Sequence, residues 1–199
     1  MKIVFASSNP HKLVEVRAIL DPLDMDVVGL DAFDDQPPEP VEDADTFEGN
    51  ARIKALAYAT ALSCRCLADD SGLVVDAIDG RPGVHSARFA GEGTTRAERD
   101  AANNALLLQL LESVPPNQRT ARFVCAMCLA DPDGTIVAET TGSFHGVITE
   151  ARGSGGFGYD PLLLVPELGL TSAELSAKEK NARSHRGNAL RSLVSLIAS

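Results

Sequence analysis

The chain opens on the compact apolar run KIVFAS, passes through the polar stretch SNPHK, and then repeats Leu13, Val16 and Leu20 at helical spacing. This order predicts a strand, a loop and a helix. Asn9 fits the N-cap and Pro10 the first helical position, where a missing N–H costs nothing. A second strand is expected at MDVVGL. Residues 31–45, DAFDDQPPEPVEDAD, are too rich in proline and acid for a regular element. A loop of that length invites a functional explanation. From Thr46 the pattern turns helical, with Phe47, Asn50, Lys54 and Ala57 on one side.

Two apolar runs, RCLAD and LVVDAI, read as buried strands flanking the acid pair Asp69 and Asp70, and DGRPG closes the second with a turn. A helix over about Thr95 to Val114 carries the apolar series Ala101, Ala105, Leu108 and Leu111. TARFVCAMCLAD and TIVAETTGSFHGVI, joined by DPDG, predict a long hairpin. A capping box, Ser176 with Glu179, starts the last helical region. Helices interleaved with strands and one antiparallel hairpin define an α/β chain with a mixed central β-sheet flanked by helices, read as one domain over 1–199.

The formal net charge of -10 removes the basic footprint that nucleic-acid binding requires. A small anionic ligand stays compatible, because a local cluster of Lys, His and Arg with a divalent cation inverts the field within one site. The start, MKIVFASSNP, has neither a signal-peptide core nor a spanning helix, so a soluble, cytoplasmic protein without a membrane partner is expected. Cysteines 64, 66, 125 and 128 suggest zinc at first sight. Residues three apart on a strand face opposite sides, however, so Cys125 and Cys128 read as buried small hydrophobes.

Four polar constellations interrupt this scaffold. SSNPHK, between a strand and a helix, can aim backbone N–H groups and Lys12 at a phosphate, or simply cap the helix. In ADDSG, alternation sends the two carboxylates to opposite faces unless the chain turns at Ser71 and Gly72. Paired acids at a strand end suit Mg2+, a hard ion that keeps several waters; an Asp-Ser-Gly turn accounts for the same residues. GSGGFGYDP lets backbone approach a ligand, with Phe157 and Tyr159 offering ring faces and Asp160 an acceptor, or forms a Gly-rich loop with its aromatics packed inward. In KEKNARSHRGNAL, one unbroken helix would point Lys180 and His185 about 140° apart. A break is therefore expected, with Ser184 capping a fresh helix that starts at His185 and Arg186 and turns Ala189, Leu190, Leu193, Val194 and Ile197 inward.

Taken in order, SSNPHK, TFEGNARIKA, ADDSGLVVDAIDGRPGVHSARFAG, GGFGYDPLL and EKNARSHRGNAL resemble the inosine triphosphate pyrophosphatase family, and the match spans the chain. The resemblance implies an elongated α/β fold with two lobes around a deep substrate cleft, and a homodimer. It implies Mg2+-dependent hydrolysis of non-standard purine nucleoside triphosphates such as ITP, dITP and XTP, releasing the monophosphate and pyrophosphate. Carried over by position, Ser7, Ser8, Asn9, Pro10, His11 and Lys12 would hold phosphates; Asp70 would be proton acceptor and metal ligand; Ser71 would contact substrate. Phe157, Gly158, Tyr159, Asp160, Lys180, His185 and Arg186 would surround the base and phosphate tail. Many relatives carry an acid directly before the helix Asn, where this chain has Gly49 with Glu48 one place earlier; Glu42 is preferred as second metal ligand.

Chemistry supports the same residues. A 6-oxo purine offers an acceptor where adenine offers a donor, so a His185 or Arg186 donor there would leave adenine unmatched. The alternative is a related pyrophosphatase acting on pyrimidine or modified nucleotides. A nucleotide-sensing protein without turnover is a further rival, while an oxidoreductase is disfavoured because the dinucleotide fingerprint is missing.

Overall fold

The computed structural model describes residues 2–23 and 25–198. In chain order the elements are β1 (Lys2–Phe5), α1 (Pro10–Leu20), β2 (Asp26–Gly29), α2 (Phe47–Leu62), β3 (Cys66–Val75), α3 (Arg96–Leu110), β4 (Thr120–Ala130), β5 (Ile136–Ile148), β6 (Leu163–Val165), β7 (Leu170–Thr171), α4 (Ala177–Arg183) and α5 (His185–Ile197). The strands form an open seven-stranded sheet in the order β2-β1-β3-β4-β5-β6-β7. β1 runs parallel to β2 and β3, whereas β6 runs antiparallel to β5 and β7. The sheet is thus mixed and the class α/β, as the pattern predicts.

The structure departs from the sequence pattern at the acid pair. RCLAD and LVVDAI are not two strands around a turn: β3 runs without interruption from Cys66 to Val75, straight through Asp69, Asp70, Ser71 and Gly72. Strand alternation therefore operates on the acid pair in full, and its two carboxylates leave from opposite faces.

The chain divides into two compact units. One comprises Met1–Asp70, Cys125–Ser143 and Ser184–Ser199; the other comprises Ser71–Val124 and Phe144–Arg183. The core of the first unit joins Ile3 and Phe5 of β1, Val16 and Leu20 of α1, Leu67 of β3, Met127 and Leu129 of β4, and Leu190 and Leu193 of α5. α1 starts as read, with the Asn9 side chain accepting from the His11 N–H and Pro10 in the first turn. α2 buries Phe47, Asn50 and Lys54, but Ala57 is exposed and Tyr58 takes its place, because spacings of three, four and three drift off the buried face of a 3.6-residue helix. The expected helix break is present: Ser184 caps α5 by accepting from the Gly187 N–H at 3.0 Å, and Ala189, Leu190 and Leu193 are buried. α5 lies directly on β5 at Gly142, where a Cβ would stand 2.3 Å from the His185 carbonyl oxygen.

In the second unit, Leu73 and Val75 of β3 pack with Leu107 and Leu111, Phe123 of β4, Phe144 and Ile148 of β5, Tyr159, Leu162 and Leu163. The buried face of α3 is Asn103 and Leu107, continued by Leu111, whereas Ala101 and Ala105 are exposed. The apolar series misplaces this face because a buried amide fixes it: Asn103 accepts from the Ala90 N–H at 2.8 Å and donates to the Ser86 carbonyl at 3.2 Å. Thr95 and Glu98 close a capping box at the start of α3. The four cysteines carry no disulfide; Cys66, Cys125 and Cys128 are buried, as small hydrophobes would be.

Candidate active site

In the first unit β1 ends in the loop that carries Ser7 and Ser8 and leads into α1. The Ser7 hydroxyl accepts from the Asn9 N–H at 3.3 Å, and Ser8 Oγ donates to Glu39 of the acidic loop at 3.4 Å. In the first turn of α1, Lys12 Nζ donates to Asp69 Oδ1 at 3.0 Å.

Asp69 is held from several sides. Besides Lys12, the Arg186 Nε and Nη2 groups donate to Asp69 Oδ2 at 3.3 and 3.1 Å, and Cys125 Sγ approaches the same oxygen at 3.8 Å. Arg186 Nη1 donates in addition to Glu15 of α1. Burial opposes ionisation of Asp69, yet Lys12, Arg186 and Lys54 outweigh it and hold the carboxyl well below the usual range. Among the fully buried side chains Arg186 is the largest, so this guanidinium is a buried cation fixed by two acids.

Asp70 emerges on the other face into different surroundings. Its Oδ2 accepts from Asn50 Nδ2 at 3.1 Å, and its Oδ1 lies 3.7 Å from Lys54 Nζ. Lys54 donates in turn to Glu42 Oε2 at 2.8 Å. Burial pushes the Asp70 carboxyl up, with Lys54, Lys12 and the Asn50 bond pulling the other way and the Glu42 charge adding to the rise. Asn50 has a double task, since its Oδ1 accepts from the Ala44 N–H at 3.0 Å and so pins the acidic loop beside Asp70. Glu48 is exposed in the first turn of α2. Gly49 has no room for a side chain: a Cβ there would stand 2.6 Å from Ala44 Cβ. His185 is buried at the first position of α5.

In the second unit Ser71 is half-buried on β3. The segment Phe157 to Asp160 forms a turn closed at both ends, with the Phe157 N–H donating to Asp160 Oδ2 at 2.8 Å and the Asp160 N–H to the Phe157 carbonyl at 3.3 Å. Asp160 also receives Lys180 Nζ at 2.7 Å and Ser172 Oγ at 2.7 Å. Gly156 makes this possible, since its φ is +71° and a Cβ would lie 2.0 Å from Asp160 Oδ2. The Lys180 ammonium stands 5.1 Å from the centre of the Phe157 ring. Tyr159 turns inward instead, its hydroxyl donating to the Ser86 carbonyl at 2.9 Å.

Of the residues expected from the sequence, the first unit thus gathers Lys12, Asp69 and Arg186 at one point and Asp70 and Glu42 at another. The second unit gathers Phe157, Asp160 and Lys180. Reading the sequence missed Glu15, Ser172 and the role of Lys54. A faint signal existed for two of them: Glu15 falls one turn after Lys12 on α1, and Lys54 one turn after Asn50 on α2.

Fold and site define an α/β protein with an open mixed sheet and a buried acid pair, each acid met by its own basic groups. The chain belongs to the Ham1 family, whose family model matches residues 3–196. It is 52% identical over 190 residues to the dITP/XTP pyrophosphatase of Geobacter sulfurreducens, covering 95% of this chain and 92% of the relative. It is 49% identical over 198 residues to the dITP/XTP pyrophosphatase of Exiguobacterium sibiricum, covering 99% and 97%. Among solved structures, a HAM1 protein from Coxiella burnetii superposes with a TM-score of 0.86 at 38% identity, covering 100% of this chain and 98% of that one.

Proposed function

We propose that this chain hydrolyses non-standard purine nucleoside triphosphates, ITP, dITP and XTP, to the nucleoside monophosphate and pyrophosphate, clearing them from the nucleotide pool. The observation that carries the chemistry is the asymmetry of the acid pair. Asp69 is neutralised by two strong cations, whereas Asp70 accepts from an amide and lies farther from an ammonium. A carboxylate raised by burial is the better proton acceptor near neutrality. The relatives' name, dITP/XTP pyrophosphatase, supports the substrate class.

Asp70 takes the proton from the attacking water, with Asn50 fixing its orientation. Lys12, with Ser7 to His11 at the start of α1, holds phosphate oxygens, using ammonium protons and the partial positive charge of the helix terminus. Asp69 keeps Lys12 and Arg186 in place. Asp70 and Glu42 both face the Lys54 ammonium, at 3.7 and 2.8 Å, and so already meet at a position that holds a cation. Among the described residues no group of three His, Cys, Asp or Glu gathers as a metal cage. Two hard carboxylate donors fit Mg2+, which completes its shell with water and substrate phosphates and, when bound, neutralises those phosphates and acidifies a water. Ser71, Phe157, Gly158 and Lys180 contact the nucleotide, with Asp160 holding Lys180 and the turn in place, and His185 and Arg186 supply donors to the 6-oxo group.

A homodimer in the cytoplasm, with a small-molecule nucleotide as partner and neither nucleic acid nor membrane, completes the proposal. Among the described residues no helix is long and apolar enough to cross a membrane. The test is a panel of ITP, dITP, XTP, GTP, ATP, UTP and dTTP with detection of released pyrophosphate, repeated after EDTA treatment and after Mg2+ is restored. The expected result is turnover of the first three that EDTA abolishes and Mg2+ restores. A preference for pyrimidines would hand the chain to the alternative reading, and binding without pyrophosphate release would make it a sensor.

A further inference from the structure

The turn at Phe157 to Asp160 is held by a helix that no role yet assigned includes. Gly158 adopts a left-handed conformation, φ +62°, in a segment without regular structure. Its peptide groups find their partners on α3. The Gly158 N–H donates to Asp100 Oδ2 at 3.1 Å, and the Gly158 carbonyl accepts from Asn104 Nδ2 at 3.1 Å. One turn earlier on the same helix face, the Arg96 guanidinium stands 5.0 Å from the centre of the Phe157 ring, and its Nε lies 3.8 Å from Asp100 Oδ2. Arg96, Asp100 and Asn104 are spaced at i, i+4 and i+8, so they form one ladder down a single helix face. The ladder holds the glycine peptide at both ends and sets a cation against the neighbouring ring.

We propose that Asp100 and Asn104, with Arg96 above them, are positioning residues for base recognition: they fix the Gly158 peptide and thereby the plane of the Phe157 ring. The inference rests on the reading of Phe157 as a contact to the purine. It assigns α3 a task beyond packing. A turn with a left-handed glycine has other conformations open to it, and side-chain bonds to the two peptide groups that flank Gly158 select among them. The aromatic face then meets the base already oriented, and the ordering cost is not charged to binding. The chemistry of each position is specific. Residue 100 must accept a hydrogen bond, which Asp or Asn can do; residue 104 must donate one, which Asn can do and Asp cannot when ionised.

The experiment compares wild type with Asp100→Ala, Asp100→Asn, Asn104→Ala and Asn104→Asp in steady-state turnover of XTP, and in inhibition by inorganic pyrophosphate, which lacks a base. The Ala variants and Asn104→Asp are expected to raise KM for XTP by roughly 10-fold or more, the scale of one lost hydrogen bond to two. Their kcat should change less than KM, and the inhibition constant for pyrophosphate should stay within about twofold. Asp100→Asn keeps the acceptor and should restore wild-type KM. Unchanged KM in both Ala variants, or equal losses for XTP and pyrophosphate, would overturn the assignment. If Asp100→Ala does not fold, the contrast of Asn104→Ala with Asn104→Asp decides it. A wild-type enzyme inactive on XTP and dITP would instead overturn the proposed function itself.

Discussion

Asp69 and Asp70 are neighbours in one uninterrupted strand and have almost nothing else in common. The first meets Lys12 at 3.0 Å and Arg186 at 3.1 Å, the second Asn50 at 3.1 Å and Lys54 at 3.7 Å. The period-two geometry of the strand, with no turn at Ser71 and Gly72, divides the doublet into an acid neutralised by two cations and an acid met by an amide and a more distant ammonium. The two substitutions should therefore fail in different ways.

On the proposed mechanism, Asp70→Asn removes the proton acceptor and keeps the shape and the Asn50 contact. Turnover of dITP is expected to fall by about 10²- to 10⁴-fold, the usual worth of a general base, while nucleotide still binds. Activity by pyrophosphate release and affinity by calorimetry, on the same preparation, separate the two effects. Wild-type turnover in this variant would move the base elsewhere.

Asp69→Asn strikes at the fold first. It leaves the partly buried Lys12 without its carboxylate partner and the buried Arg186 with Glu15 alone. Breaking a buried pair by removing one partner costs about 3–5 kcal/mol. Urea unfolding is expected to show a loss of that size, with the loss in activity following from loosened cations. An unchanged unfolding midpoint would refute the neutralising role.

Much of this arrangement was legible in the sequence wherever a local signal marks an element end. Asn9 with Pro10, Ser176 with Glu179, and the break at Ser184 are all written in residues that cap their own backbone. The structure departs from the pattern where a distant partner decides. Asn103 sets the buried face of α3 through backbone groups of residues 86 and 90, and no period within the helix announces that. Lys54 and Glu15 look like solvated helix charge until Asp70, Glu42 and Arg186 are brought beside them. Asp160 reads as an acceptor waiting for a ligand, and in the fold it accepts from Ser172, Lys180 and Phe157. Burial of a charged side chain is a tertiary fact, and hydrophobic periodicity carries no record of it.

The start of α3, and with it the ladder to Gly158, has a pH signature. The Glu98 carboxylate accepts from the Thr94 hydroxyl at 2.6 Å and from the Thr94 and Thr95 N–H groups at 2.8 and 2.9 Å. The Thr94 hydroxyl, followed by these backbone bonds, pulls its pKa down to about 2. Because the folded value lies below that of the unfolded chain, about 4.3, the contribution is complete above the unfolded value and is lost as pH falls through the folded one. Glu98→Ala should melt below wild type at neutral pH, and the gap should close as pH drops from about 4 towards 2. A gap independent of pH would show that the side chain acts through packing alone.

In the proposed recognition of the 6-oxo group, the donors of Arg186 depend on how its guanidinium is fixed. Nε and Nη2 are engaged by Asp69 and Nη1 by Glu15, a fork that only a planar, multidentate cation can span. Arg186→Ala would expose Asp69 and Glu15 to each other without a shared cation, and would confound selectivity with stability. Arg186→Lys is the cleaner probe, because it keeps a positive charge for Asp69 and gives up the fork. Its melting temperature should fall less than that of Arg186→Ala. Its ratio of kcat/KM for ITP over ATP should drop by about 10-fold or more, since a site built around one oriented donor discriminates by far larger factors. Glu15→Gln should reproduce part of that drop through Arg186, without contact to nucleotide. Full selectivity in Arg186→Lys would assign recognition of the 6-oxo group to His185 instead.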